Sequence, residues 1–279
     1  MKNLSELLSK YPNMLSVMED AAISAGKDIM DVYAQEQIET DWKTDSSPLT
    51  LADLRAHRVI SQSLMHHFPD IQLVSEEDEG ATEITVGDIF FLVDPLDGTK
   101  EFIKRTGEFT VNIALIIQGI TKLGVVYLPA QDTLYATTQR GSAVVICSAS
   151  KRSNERELKE ISVRAIPAEG PKVVMSASHS SDETRDYCAH YNPAQTLSAG
   201  SSLKLCKIAE GEADLYPRLG RTMEWDTAAA HAVVKAAGGN VFSLNDACEI
   251  RYGKPGLDNS YFICAASVSD VITAELDWR

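Results

Sequence analysis

The sequence predicts a mixed α/β chain built in layers, and three observations predict it. Apolar residues recur at helical spacing between Leu15 and about Gln35 (Val17, Ala21, Ala25, Ile29, Val32), and a second helix is expected from Ala52 to His67. Between Ile71 and Thr137 short apolar runs are separated by turn residues, as in a sheet. Beyond Ile161 strand-like and helix-like stretches alternate, which suggests an α/β layer.

Taken in order, both early helices are expected to be amphipathic. The runs Ile71–Val74 and Ile89–Val93 each end in acids, so two strands are expected to deliver carboxylates to one edge. Thr110–Ile117, Leu123–Tyr127 and Thr133–Thr137, joined by short turns containing Gly119 or Pro129, read as antiparallel strands. The polar stretch Ser148–Glu160 reads as a surface crossing between two domains, 1–147 and 148–279. The second half is expected to run strand Val173–Ser176, helix Asp182–His190, helix Ser202–Glu210, strand Ala213–Tyr216 and helix Thr227–Ala237. It continues with strands Asn240–Phe242 and Phe262–Ala265 and helix Val268–Leu276.

Composition narrows the function. A chain of 279 residues with 44% hydrophobic and 24% charged residues fits a soluble globular protein and excludes a fibrous or disordered one. With a net charge of −14 and no Lys/Arg run longer than two, it lacks the basic surface that a nucleic acid polymer requires. An acidic protein can still handle phosphate if clustered carboxylates hold divalent cations. No stretch approaches a transmembrane span, and Met1–Met30 lacks the apolar core of a signal peptide, so a cytoplasmic location is expected. The five cysteines form no CxxC pair and are expected to be reduced packing residues.

Four short segments carry the candidate chemistry. In Asp94-Pro-Leu-Asp97-Gly98-Thr99 the proline forbids a regular helix, so both carboxylates are expected to leave a strand end in a tight loop. Carboxylates and a loop carbonyl such as that of Leu96 suit the hard, octahedral Mg²⁺. The N–H groups of Gly98 and Thr99, at a following helix start, can hold phosphate oxygens. Ser75-Glu76-Glu77-Asp78-Glu79 concentrates like charge that must be solvated or metal-bound. Asp226 in Trp225-Asp226-Thr227 stands where a helix N-cap stands, and Asp53 opens the helix from Ala52. Taken singly, each acid is equally accounted for by a turn, a cap or a solvated loop.

The four segments occur together and in one order. In that arrangement the sequence resembles the lithium-sensitive, metal-dependent phosphatase superfamily that includes inositol monophosphatases, fructose 1,6-bisphosphatases and 3′(2′),5′-bisphosphate nucleotidases. Finer resemblance to the bacterial CysQ type of bisphosphate nucleotidase lies in Lys100-Glu101-Phe102, Gly107-Glu-Phe-Thr-Val-Asn-Ile113, Gly200-Ser-Ser-Leu-Lys204 and Ala213-Asp-Leu-Tyr-Pro-Arg218. The resemblance implies a layered αβαβα sandwich and Mg²⁺-dependent hydrolysis of adenosine 3′,5′-bisphosphate to AMP, recycling a by-product of sulfate assimilation. An inositol or sugar phosphatase, and a non-catalytic phosphonucleotide sensor, stand as alternatives.

By the same resemblance Glu76, Glu77, Asp94, the Leu96 carbonyl, Asp97 and Asp226 would ligate Mg²⁺, roughly two or three ions per site. Asp53 and Thr99 would activate the attacking water, with Glu76 counted among the catalytic groups. Glu76, Leu96, Asp97, Gly98, Thr99 and Asp226 would face the scissile phosphate, and His179, Ser201, Lys204 and Arg218 would contact the rest of a small phosphonucleotide. Relatives often carry an arginine before the Ser178-His179 pair, where this chain has Ala177. Relatives also leave room for peripheral association with the cytoplasmic face of the inner membrane, although no anchor is visible here. The sequence does not fix the oligomeric state.

Overall fold

The structure is a computed structural model that describes residues 3–36, 40–42, 48–176 and 181–271. Along the chain the elements are α1 (Leu4–Lys10), α2 (Met14–Tyr33), β1 (Thr40–Trp42), β2 (Pro48–Thr50), α3 (Leu51–His67), β3 (Gln72–Ser75), β4 (Ile89–Asp97) and α4 (Thr99–Ile103). There follow β5 (Thr110–Ile117), β6 (Ile120–Leu128), β7 (Thr133–Thr137), β8 (Ala143–Cys147) and β9 (Glu157–Ile161). The chain continues with β10 (Lys172–Ser176), α5 (Asp182–Ala189), β11 (Gln195–Ala199), α6 (Leu203–Ala209), β12 (Tyr216–Arg218), α7 (Ala228–Ala236), β13 (Asn240–Ser243) and β14 (Phe262–Ala265).

Strands β3 to β9 form one seven-stranded sheet in sequence order. It is antiparallel except for the β3–β4 pair, which is parallel. Strict alternation in β5 explains how the layers form. Val111, Ile113, Leu115 and Ile117 turn towards α2 and α3, whereas Ala114 and Ile116 join the core shared with α6 and α7. Beyond α6 and α7 lie the β12–β14–β13 and β10–β11 sheets, with α5 packed against β12 outside them. The layers therefore run αβαβα, as the resemblance implied.

Helix α7 can lie close to the large sheet because it begins with three alanines and faces Gly124 of β6. A Cβ on Gly124 would stand 2.1 Å from the Ala229 carbonyl oxygen. The Thr121 hydroxyl also donates to the Ala228 carbonyl at 2.9 Å, pinning the start of α7.

Several expectations need correction, beginning with the strand expected over Ala213–Tyr216, which β12 overlaps only at Tyr216. The acids of Asp94-Pro-Leu-Asp97 do not leave the strand: β4 continues through Pro95 to Asp97. Pairing with β3 ends at Val93, and pairing with β5 skips from Asp94–Asn112 to Asp97–Thr110, so Pro95 sits in a bulge where no ladder N–H is missed. The stretch read as a surface crossing contains the edge strand β9, whose polar residues are exposed as an edge requires. Cys147 and Cys248 are exposed rather than packed, while Cys188, Cys206 and Cys264 are buried, and all five are free thiols. The helix expected from Val268 starts only as a 3₁₀ turn over Val268–Asp270, with Val271 already outside it; residues 272–276 lie outside the described residues.

Candidate active site

The acids converge where β3, β4 and the turn before α7 meet. Glu76 follows β3, its N–H donating to the Val93 carbonyl at 3.0 Å, so parallel pairing sets it beside Asp94. Asp94 is buried, and its Oδ1 accepts the Leu96 N–H at 3.0 Å, which fixes the carboxylate within the bulge. Asp226 ends the 3₁₀ turn Glu224–Asp226 and accepts the Met223 N–H at 2.8 Å. Neighbouring Glu224 is fully buried, accepts from the Gly253 and Lys254 N–H groups and pairs with the Lys254 ammonium, which anchors this turn. Glu76, Asp94 and Asp226 bring three carboxylate oxygens within 4.8 Å of one another.

That donor set fits a hard divalent cation. Burial first, then the nearby Asp97 and Glu76 carboxylates, push the Asp226 carboxyl well above the ordinary range. A cation among these oxygens relieves that mutual repulsion, and carboxylates are the ligands Mg²⁺ prefers. Asp97 stands slightly apart. Its Oδ2 accepts from the Ser201 hydroxyl at 2.7 Å, the Ser202 N–H at 2.6 Å and the Asn112 amide at 3.4 Å. Its Oδ1 accepts no hydrogen bond among the described residues.

A cleft of about 260 Å³ is lined by Glu76, Asp94, Leu96, Asp97, Gly98, Thr99, Ser201, Lys204, Arg218 and Asp226, so most of the candidate residues share one surface. Gly98 adopts φ +89°, and a Cβ there would stand 3.2 Å from the Glu108 carbonyl oxygen, so only glycine suits this tight entry into α4. Asp53 lies behind the lining. Its Oδ2 accepts from the Thr50 N–H at 2.7 Å and the Thr50 hydroxyl at 2.6 Å, while the Thr99 hydroxyl lies 3.2 Å from its Oδ1. The helix-capping reading of Asp53 is correct, and the same carboxylate also holds Thr99. Glu77 lines neither the cleft nor the three-acid cluster. His179 and Ala177 lie outside the described residues.

Positive charge occupies another part of the lining. Lys204 is buried, which lowers its ammonium to about 8 despite support from Asp97. Arg218 donates to the Arg221 carbonyl at 3.0 Å, but its buried Nε has no partner among the described residues. A buried guanidinium donor without an acceptor carries a desolvation cost that an anion in the cleft would offset. Ser201 has φ +52°, and its hydroxyl proton is committed to Asp97, so it offers a ligand a lone pair or its backbone.

Three polar residues that sequence reasoning quoted within motifs without assigning them a role, Thr110, Asn112 and Ser202, also contact this assembly. Their signal was present in β5: Thr110 and Asn112 are polar at alternate positions of an otherwise apolar strand, so both lie on the face that carries Ala114 and Ile116.

Comparison with known proteins finds relatives along nearly the whole chain. The sequence model of a family described as the inositol monophosphatase family matches residues 10–276. The chain is 46% identical over 230 residues to the 3′(2′),5′-bisphosphate nucleotidase CysQ of Salmonella typhimurium, covering 82% of this chain and 89% of that protein. The CysQ protein of Escherichia coli K12 is 45% identical over the same length. Among solved structures, CysQ from Bacteroides thetaiotaomicron superimposes with a TM-score of 0.76 at 36% identity, covering 90% of this chain and 97% of that one. An IMPase from Thermotoga maritima, 23% identical with a TM-score of 0.73, shares the fold.

Proposed function

We infer the reaction from descent and geometry together: the chain belongs to the inositol monophosphatase family, and its cleft sets clustered acids beside the buried Lys204 and the half-buried Arg218. The reaction is hydrolysis of adenosine 3′,5′-bisphosphate to AMP and phosphate in the cytoplasm, a reading supported by relatives named 3′(2′),5′-bisphosphate nucleotidase CysQ. The observation that carries this reading is one cleft holding Glu76, Asp94 and Asp226 together with Lys204 and the unpartnered Arg218 Nε. A substrate with two phosphates needs both: one at the acids with their cations, the other at the basic side chains.

Glu76, Asp94, the Leu96 carbonyl, Asp97 and Asp226 are the residues that would hold Mg²⁺, and Glu77, outside the cleft lining, would assist one site through water. When bound, the metal supplies Lewis acidity that lowers the pKa of a water and stabilises charge on the leaving oxygen. The chain's own contribution to proton transfer is the Thr99–Asp53 pair. The Thr99 hydroxyl reaches Asp53 Oδ1 and the Leu96 carbonyl, 3.3 Å away; with its proton on Asp53, the Thr99 oxygen takes the proton of the attacking water as its own passes to the Asp53 carboxylate. Asp53 is prevented from turning by the two Thr50 donors on its other oxygen. As the water oxygen bonds to phosphorus, the bond to the ribose 3′-oxygen breaks, and that oxygen takes a proton from solvent in the open cleft. The Gly98 and Thr99 N–H groups face the phosphate oxygens from the start of α4.

Parallel kinetics test the reading. With Mg²⁺, purified protein is expected to show a higher kcat/KM on adenosine 3′,5′-bisphosphate than on inositol 1-phosphate or fructose 1,6-bisphosphate; the reverse order sinks it.

A further inference from the structure

Asp97 and four side chains around it form a ring of close polar contacts. Asp97 Oδ2 accepts from the Ser201 hydroxyl at 2.7 Å; Ser201 in turn meets the Thr110 hydroxyl in a short contact. Thr110 lies 2.8 Å from the Ser202 hydroxyl, Ser202 donates to Asn112 Oδ1 at 2.7 Å, and the Asn112 amide returns to Asp97 Oδ2 at 3.4 Å. The Ser202 N–H spans the ring to the same oxygen at 2.6 Å. Thr110, Asn112, Ser201 and Ser202 are all buried, so little water competes for these donors and acceptors.

The protons converge on Asp97 along two arms. Asp97 can only accept, so Ser201 and the Asn112 amide donate to it. Ser201 has then used its proton and accepts from Thr110. The Asn112 oxygen requires a donor, which Ser202 provides. Thr110 and Ser202 have then spent their single protons, so their mutual contact carries none. The orientations along each arm depend on one another, and the Thr110–Ser201–Asp97 arm stabilises Ser201 in its unfavourable left-handed conformation.

We propose that Thr110 and Asn112 are positioning residues for Asp97. Thr110 acts from β5 through Ser201, just before α6, and Asn112 donates to Asp97 directly; together they lock one carboxylate oxygen so that the other stays turned to the cleft. Neither residue touches the substrate, and their effect is on the cation bound there. The proposal rests on Asp97 being a ligand of that cation.

The test replaces Thr110→Val, which keeps the β-branched shape and removes the hydroxyl, with Thr110→Ser as the restoring variant. The readout is the Mg²⁺ concentration at half-maximal thermal shift, measured on the full chain with Mg²⁺ alone. Loss of a residue that orients a metal ligand typically weakens metal affinity about 10–100-fold. A rise of roughly tenfold in that midpoint is expected for Thr110→Val, with kcat recovering at saturating Mg²⁺ and the midpoint restored by Thr110→Ser. If Thr110→Val does not fold, Asn112→Ala removes the adjoining link and is expected to shift the midpoint likewise. A merely structural role lowers the melting temperature without moving the Mg²⁺ midpoint, and that result overturns the proposal. If the unaltered protein shows no Mg²⁺-dependent shift, the assignment of the cation itself fails, which is a separate result.

Discussion

The Thr99 hydroxyl lies 3.2 Å from Asp53 Oδ1, while both Thr50 donors hold the opposite oxygen of the same carboxylate. In Asp53→Asn the amide oxygen is expected to face the Thr50 donors, which turns the NH₂ towards Thr99. Thr99 then loses its proton acceptor. A fall in kcat of about 10²–10⁴-fold is expected, the range typical of general-base loss, with the Mg²⁺ midpoint little changed. Steady-state kinetics beside a metal titration check it; unaltered kcat would remove the pair from the mechanism.

Asp94 is buried with one oxygen on the Leu96 N–H, an interaction that an asparagine can preserve. Asp94→Asn is therefore expected to abolish activity at ordinary Mg²⁺ while leaving the far-ultraviolet circular dichroism unchanged. Chelation of the unaltered enzyme should have the same effect and be reversed by added Mg²⁺. Activity retained by either preparation contradicts the acid cluster as the metal site.

In the proposed reading Arg218 and Lys204 bind the second phosphate. A hydrogen bond to a charged group contributes about 1.5–3 kcal/mol, so Arg218→Ala is expected to lower kcat/KM on adenosine 3′,5′-bisphosphate roughly 10–100-fold. A substrate with a single phosphate should lose much less. Equal losses on both would place Arg218 at the reacting phosphate instead.

How much of this was legible beforehand depends on what each residue contacts. The helices at α2 and α3 and the strand β5 carry strong periodicity, so local pattern sufficed. Asp53 read as a cap, which it is, but its second contact is with Thr99, far along the chain, and no local pattern encodes such a contact. Pro95 suggested a loop because a lone strand loses a donor there; only the end of β3 and the bulge against β5 make the proline harmless. β9 was missed because an edge strand is exposed on both faces and lacks alternation. Likewise Thr110 and Asn112 were visible as polar residues in an apolar strand, yet their partners lie at the end of β4 and just before α6.

His231 offers a pH test away from the acids. Its ring is buried between the Tyr252 hydroxyl, 2.8 Å from Nδ1, and Asn240 Oδ1, 2.6 Å from Nε2, an arrangement satisfied by the neutral Nε2–H tautomer. Burial, which outweighs the Asn240 bond and Glu249, lowers its pKa from 6.5 to about 4. Between those values the unfolded chain takes up a proton that the folded one refuses, so stability falls as pH drops through this window. The slope should approach about 1.4 kcal/mol per pH unit. Urea unfolding from pH 6.5 to 4.5, compared with His231→Gln, isolates the contribution; an equal slope in both assigns it elsewhere.

Gly124→Ala would drive a methyl into the Ala229 carbonyl at 2.1 Å and Ala232 Cβ at 2.8 Å. Overpacking of this kind costs about 1–3 kcal/mol. Because α7 begins just after Asp226, a lower urea midpoint should be accompanied by weaker Mg²⁺ binding; a midpoint equal to that of the unaltered protein would show that the helix yields freely.

The three clustered acids come from β4, from the residue after β3 and from the turn before α7, and that turn is braced by Glu224 against Gly253 and Lys254. A nascent chain emerging from the ribosome therefore has no assembled cation site until residues well beyond Asp226 are made. Glu76 and Asp94 are synthesised well before Asp226, and the residues that brace its turn come later still.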